Sequence, residues 1–274
     1  MYSVTSRIKN IKQPYGGYLK PSEMDVRIID DGNEMIPEEY ESIGANIIGL
    51  VVDYLTRFMT GEPKEEAFRI SLEGAKIKQK FASEGEEKAK EYLSEIKGLD
   101  EISIENACRL ATFDVWRRSP FNALMSDNDI FVDYETTENI QIMVQRSLDF
   151  FKEYGPVIKS GFTFEPNGYT ETVSSGDGDY LTKDTLWDFK VSKKKPTSVQ
   201  TLQLLMYWIM GKHSGNPIYD SITKIGIFNP RLNTVYTYDM SKMEKYIIEM
   251  IEDEVIGYDP NMPKPFWDVF FSND

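Results

Sequence analysis

Two aspartates and a lysine in the stretch SSGDGDYLTKDTLWDFKVSKKKP, residues 174–196, have the types and spacing of a hydrolytic site. The segments on either side of Thr-Lys-Asp are short and rich in Thr, Tyr, Trp and Val, and they read as a β-hairpin. With its turn centred on Lys183 and Asp184, the pairing sets Asp179 directly across from Asp188. Like charges about 5 Å apart across a strand pair repel unless something cationic lies between them, and a divalent ion is the natural candidate. Mg²⁺ or Mn²⁺ takes carboxylate and water oxygens and keeps several waters, so two or three protein carboxylates suffice. Side chains alternate along a strand, so Asp188 and Lys190 share one face while Trp187, Phe189 and Val191 point to an apolar layer. Lys190 would lie beside the ion, where a lysine can orient or help deprotonate an attacking water and stabilise charge developing on a phosphorus centre. The competing reading is a surface salt-bridge cluster of either aspartate with Lys190, which is worth little energetically.

The elements that must position these residues are legible from periodicity. Residues 1–40 are rich in Gly, Pro and charge and read as an irregular arm with a short extended piece. Ile47, Leu50, Val51, Tyr54, Leu55 and Phe58 recur at helical spacing and predict a helix over 43–60, ended by Gly61 and Pro63. Residues 64–118 read as further helix, first highly charged and then apolar. Another helix is signalled over 137–154, with Thr137 as its cap. The period then changes to two: GFTFEPNGYTETVSS, DGDYL and TLWDFKV predict an antiparallel meander. A helix over 198–210 stopped by Gly211, two strands in ITKIGIFNP and TVYTYDM, and a last helix in SKMEKYIIEMIEDEVIG complete the chain.

The groups Gly176-Asp177-Gly178-Asp179, Asp188-Phe189-Lys190 and Gln203-Leu204-Leu205-Met206-Tyr207 stand in that order on a strand, the next strand and a helix. They resemble the RecB-type branch of the PD-(D/E)XK nuclease superfamily, whose marks are G-x-x-D, D-x-K and Q-x-x-x-Y. The resemblance covers about 35 residues. It implies an α/β restriction-endonuclease-like core, a mixed sheet of four or five strands flanked by helices. It also implies one domain over 1–274, with a first ligand helix at 41–60, a helical insertion at 61–155, and the sheet core with flanking helices at 156–274. The implied activity is metal-dependent hydrolysis of DNA phosphodiesters, as an exonuclease or DNA-processing nuclease. Asp53, Asp179 and Asp188 would hold Mg²⁺ or Mn²⁺ with the Phe189 carbonyl, Lys190 would activate water, and Gln203 and Tyr207, four apart on one helix face, would orient the substrate. The family carries a histidine on its early helix in a G-x-x-x-H pattern. Here Gly49 is followed four residues on by Asp53, a chemically adequate ligand for a hard cation, which could instead form an i, i+4 ion pair with Arg57. The single histidine, His213, lies beyond the Q-x-x-x-Y helix and reads as a loop residue.

Lys193, Lys194 and Lys195 follow the second strand directly and could guide a phosphate backbone, single-stranded or at a duplex end, into the groove. Arg117 and Arg118 form a second basic pair. The chain as a whole carries 31 Lys and Arg against 45 Asp and Glu, a formal charge of −14, which argues against nonspecific coating of nucleic acid but not against a local basic channel. That charge and the missing early histidine fit an alternative: an inactive nuclease-fold binding module or protein inhibitor whose acidic surface meets a basic protein partner. No P-loop or dinucleotide-binding glycine pattern is present. Neither a membrane-spanning run nor the apolar centre of a signal peptide is seen, so a cytoplasmic protein with no membrane partner is expected. The single cysteine, Cys108, reads as a small core residue.

Overall fold

The computed structural model describes residues 1–81, 84–119, 130–259, 261 and 270. The chain divides into two compact units, one of Met1–Ile29 with Glu153–Asp274 and one of Asp30–Lys152.

The first unit is α/β. Strands β1 (Tyr2–Ser3), β2 (Asp25–Ile28), β3 (Lys159–Phe162), β4 (Val173–Ser175), β5 (Gly178–Leu181), β6 (Thr185–Phe189), β7 (Lys224–Asn229) and β8 (Thr234–Asp239) accompany helices α1 (Val4–Lys9), α9 (Ser198–His213) and α10 (Lys245–Met250). Six strands form one mixed sheet in the order β2-β8-β7-β6-β5-β3, and β1 pairs with β4 apart from it. The sheet thus has six strands where four or five were expected, because the extended piece of the N-terminal arm, β2, adds to β8 with Val26 opposite Tyr236. Within the six-stranded sheet the β6 to β7 pair is parallel and the other pairs are antiparallel, and the separate β1 to β4 pair is parallel. A parallel neighbour requires a crossover, and α9 supplies it.

Helix α9 is apolar on nearly all sides, which marks a helix buried all round. Thr201 to Gly211 are all buried, and Leu202, Leu205, Met206 and Ile209 join Leu186, Ile225 and Ile227 in one core cluster. Its start is set by a capping box in which Thr197 and Gln200 satisfy each other's backbone. Gly211 does not stop it. A Cβ there would come within 2.5 Å of the Tyr219 ring, so this glycine serves close packing and the helix runs on to His213. The final helical stretch splits into α10 and a π-helical turn, Ile251–Ile256.

The second unit is helical: α2 (Ala45–Met59), α3 (Lys64–Ala67), α4 (Arg69–Phe81), α5 (Gly85–Glu95), α6 (Glu101–Ala111), α7 (Asp114–Arg118) and α8 (Tyr134–Tyr154), of which 134–152 belong to this unit. Helix α8 begins before Thr137, which is buried inside it. The capping oxygen is that of Asp133, which accepts from the Thr136 N–H at 2.9 Å. Within the unit, buried Asp114 accepts from Tyr54 Oη at 2.5 Å and Ser71 Oγ at 2.6 Å, and burial raises its carboxyl above the usual range. Cys108 is fully buried, and burial pushes its thiol up to about 12, leaving no thiolate at neutral pH. Among the described residues no helix is long and apolar enough to cross a membrane.

Candidate functional site

The hairpin is built in the expected register: Tyr180 opposes Trp187 and Leu181 opposes Leu186. Gly178 begins β5 because it faces Phe162 across the β3 to β5 pair, where a Cβ would lie 2.0 Å from the Phe162 ring. Gly226 on β7 is required in the same way, with its Cβ position 2.2 Å from the Trp187 ring that lies over it. The first close approach sets β3 against β5, and the second sets β6 against β7.

One face of β6 differs from the charged face that strand alternation suggests. Leu186, next to Asp188 on that face, belongs to the core beneath α9, and Asp188 itself is only 1% exposed. Its Oδ1 accepts from Lys190 Nζ at 2.8 Å, whereas Oδ2 is buried with no hydrogen-bond partner. Burial raises the Asp188 carboxyl above the usual aspartate range, and the Lys190 charge works against that rise. The pair is therefore not a surface salt bridge: the carboxylate is buried and only the lysine side chain, 33% exposed, meets water.

Asp179, half-buried on β5, accepts the Phe189 N–H through Oδ2 at 2.7 Å. This bond ties the ends of the two strands together just where Asp188 and Lys190 emerge. The Lys190 N–H is held in turn by the Phe228 carbonyl at 2.9 Å. Phe189 packs its ring on Tyr180 and Phe228, with centroids 4.7 and 5.2 Å away.

Gln203 and Tyr207 share a face of α9 one turn apart, as predicted, and the Gln203 amide donates to Tyr207 Oη at 2.9 Å. Both are buried. The Tyr207 hydroxyl is held well above the ordinary tyrosine value, first by burial and then by the charge of Asp188, with smaller contributions from Asp179 and Asp177. The Cβ position of Gly176 lies 3.6 Å from the Tyr207 ring, which puts this helix face against the approach to β5; Asp177, Asp179, Asp188, Lys190, Gln203 and Tyr207 make up the candidate cluster.

The other expected residues lie differently. Lys193, Lys194 and Lys195 are exposed on the loop after β6, which is anchored where Asn229 Nδ2 donates to the Ser192 carbonyl at 2.7 Å. Asp53 sits on α2 in the helical unit and forms the i, i+4 ion pair with Arg57, its Oδ2 3.0 Å from Nη2 and its Oδ1 3.1 Å from Nε. Arg117 pairs with Glu73 at 3.0 Å and Arg118 with Asp114 at 3.4 Å. His213 is not a loop residue. It ends α9, places Nε2 2.7 Å from Glu252 Oε1 of the π turn, and stacks on Tyr258 with centroids 3.9 Å apart. Nothing local in Gly-Lys-His-Ser-Gly announces that pairing, because its partner is 39 residues away.

Among the described residues no group of three or more His, Cys, Asp or Glu is arranged to hold a metal ion. A buried carboxylate oxygen with no partner beside a second carboxylate nevertheless fits a hard cation that draws its remaining ligands from backbone oxygen and water. Two pockets of about 440 and 460 Å³, one in each unit, are lined by none of the residues of the cluster. Compared with known proteins, the chain matches no family model, no curated protein and no solved structure.

Proposed function

We propose that the chain is a metal-dependent nuclease that hydrolyses DNA phosphodiesters at the Asp179, Asp188 and Lys190 cluster, on a restriction-endonuclease-like arrangement of the β5 to β7 strands and α9. The observation that carries this reading is the Asp188 Oδ2 atom, buried and without a hydrogen-bond partner. A buried carboxylate oxygen left unpaired costs about 1–3 kcal/mol or more, so it marks a place where a charged partner belongs. Asp188 and Asp179 would hold Mg²⁺ or Mn²⁺ with the Phe189 carbonyl. The ion, when bound, supplies Lewis-acid polarisation of the phosphate. Lys190 would then be released from Asp188 to position and help deprotonate the attacking water, and its ammonium would stabilise charge on the phosphoryl oxygens. Gln203, held by Tyr207, presents a carboxamide beside that charge.

One observation favours the alternative of an inert nuclease-fold binding module: the Lys190 ammonium already rests on Asp188 at 2.8 Å, which supplies a counter-charge without any metal. The two readings part in a cleavage assay on single-stranded, linear and circular DNA with Mg²⁺, Mn²⁺ or EDTA. Cutting that needs the metal and falls about 10²-fold or more in Lys190→Gln, the size usual for one lost preorganised charge, supports the nuclease. Wild-type protein that leaves all three substrates intact with both metals refutes it. Gln is chosen over Ala because its amide can still donate to the buried Asp188 carboxylate, whereas Ala would strand that charge.

A further inference from the structure

Two stretches of this acidic chain contain no Asp or Glu at all: residues 1–22, with Arg7, Lys9, Lys12 and Lys20, and residues 189–219, with Lys190, Lys193, Lys194, Lys195 and Lys212. Together they hold nine of the 31 cations and none of the 45 acids. The fold packs them against each other. Helix α1 lies on α9, Thr201 Oγ1 donates to the Leu19 carbonyl at 2.6 Å, and a Cβ on Gly17 would come within 2.5 Å of Ser198 Cβ, three residues beyond Lys195. Val4 of α1 also reaches Gly176 at the foot of β5, whose Cβ position lies 3.6 Å from the Tyr207 ring. The two acid-free stretches therefore pack together through buried contacts that reach Tyr207 of the cluster around Asp188.

At the tip of the arm stands an aromatic ring with no packing role. Tyr15 is fully exposed, at 102%. Its backbone lies in a turn, in which the Gly17 N–H donates to the Pro14 carbonyl at 2.9 Å and Gly16 has the φ of +87° that a type II turn requires at its third residue. Four of the nine cations are engaged within the fold: Arg7 on the Val255 and Glu254 carbonyls, Lys20 on Glu23, Lys190 on Asp188 and Lys212 on the Tyr219 and Asp220 carbonyls. Lys9, Lys12 and Lys193 to Lys195 have exposed side chains. An exposed aromatic beside a cationic track in an otherwise acidic protein is the composition of a single-strand binding surface, where bases stack on rings and lysines follow the phosphates.

We infer that the turn carrying Tyr15 and the Lys193 to Lys195 loop form a single-stranded DNA grip in which Tyr15 stacks a base and the three lysines engage phosphates leading to the Asp188 cluster. The inference rests on the nuclease reading for the direction of the strand but not for binding itself. The test is fluorescence anisotropy of labelled oligo-dT and of a blunt duplex in EDTA, over a range of salt. Tyr15→Ala should weaken oligo-dT binding about tenfold, Tyr15→Trp should retain it, and duplex binding should not change. Replacing Lys193, Lys194 and Lys195 by Gln should reduce the slope of log K against log salt by about 2, at about 0.7 per phosphate for a single strand. Equal oligo-dT affinity for wild type and Tyr15→Ala, an unchanged salt slope, or preference for duplex would overturn the grip. Tyr15-dependent binding with no cleavage by wild type sinks the nuclease alone, and metal-dependent cleavage with Tyr15-independent binding sinks the grip alone.

Discussion

Replacing Asp188 by Asn tests the metal site through stability, without relying on catalysis. Asn keeps the shape of the side chain and removes the buried negative charge, while Lys190, one-third exposed, can turn its ammonium to water. Without metal the change should be small, within about 1 kcal/mol in either direction, because the desolvated charge and its lysine bond are lost together. The two proteins should differ in their response to cations. A ligand that binds only the folded state at a hundredfold excess over its Kd adds about 2.7 kcal/mol. At about 2–4 °C per kcal/mol for a unit of this size, Mn²⁺ should raise the wild-type midpoint by roughly 5–10 °C and leave Asp188→Asn unmoved. Calorimetry is the suitable assay, since two compact units need not melt together and only the transition of the sheet unit should shift. The pH dependence follows from the raised Asp188 carboxyl. A carboxyl lifted above its unfolded value near 3.8 binds a proton in the folded state first, so the metal-free wild type loses stability as pH rises through that window. A cation must displace the same proton, so the Mn²⁺ shift should grow from acid to neutral pH. An equal Mn²⁺ shift in Asp188→Asn, or no shift in wild type with either metal, would refute the site as drawn.

Two further outcomes concern how the site is built. Gly178→Ala should cost about 1–3 kcal/mol as overpacking, because its Cβ would stand 2.0 Å from the Phe162 ring in a paired strand, and Gly226→Ala should cost a similar amount against Trp187; chemical denaturation measures both, and a neutral result would mean that the β3 to β6 spacing is looser than observed. Tyr207→Phe should remove the acceptor of the Gln203 amide and cost about 1 kcal/mol at neutral pH, yet above pH 10 the variant should lose less stability than wild type, by up to about 1.4 kcal/mol per pH unit, because a hydroxyl held well above 10 must stay protonated in the folded protein; parallel pH curves for the two proteins would contradict that.

What could be read from the chain and what could not divide along the range of the interactions involved. The β5 to β6 register follows from a turn of a few residues and the alternation around it, and the structure has it with Tyr180 on Trp187. The helix expected over 43–60 is found at Ala45–Met59 for the same reason: its apolar residues repeat locally and Gly61 and Pro63 follow. Strand β2 was visible only as an extended piece, since all four of its residues are exposed and no alternation betrays a strand whose partner, β8, is some 200 residues on. The burial of Asp188 was hidden in the same way. Read by itself, Asp-Phe-Lys alternates like a strand with one wet face, and on that reading its ion pair is a surface one of little value. It is α9, apolar on almost every side, that covers this face and turns an ordinary pair into a buried carboxylate with one oxygen unpartnered. His213 repeats the lesson: Gly211 looks like a helix stop, but the Tyr219 ring needs that glycine for contact, so the helix continues and carries the histidine to Glu252. Residue identities and order at the candidate site were thus legible in short motifs, whereas the energetic property that makes the site worth testing, desolvation of Asp188, is made by a helix that lies between the strands in sequence and over them in space.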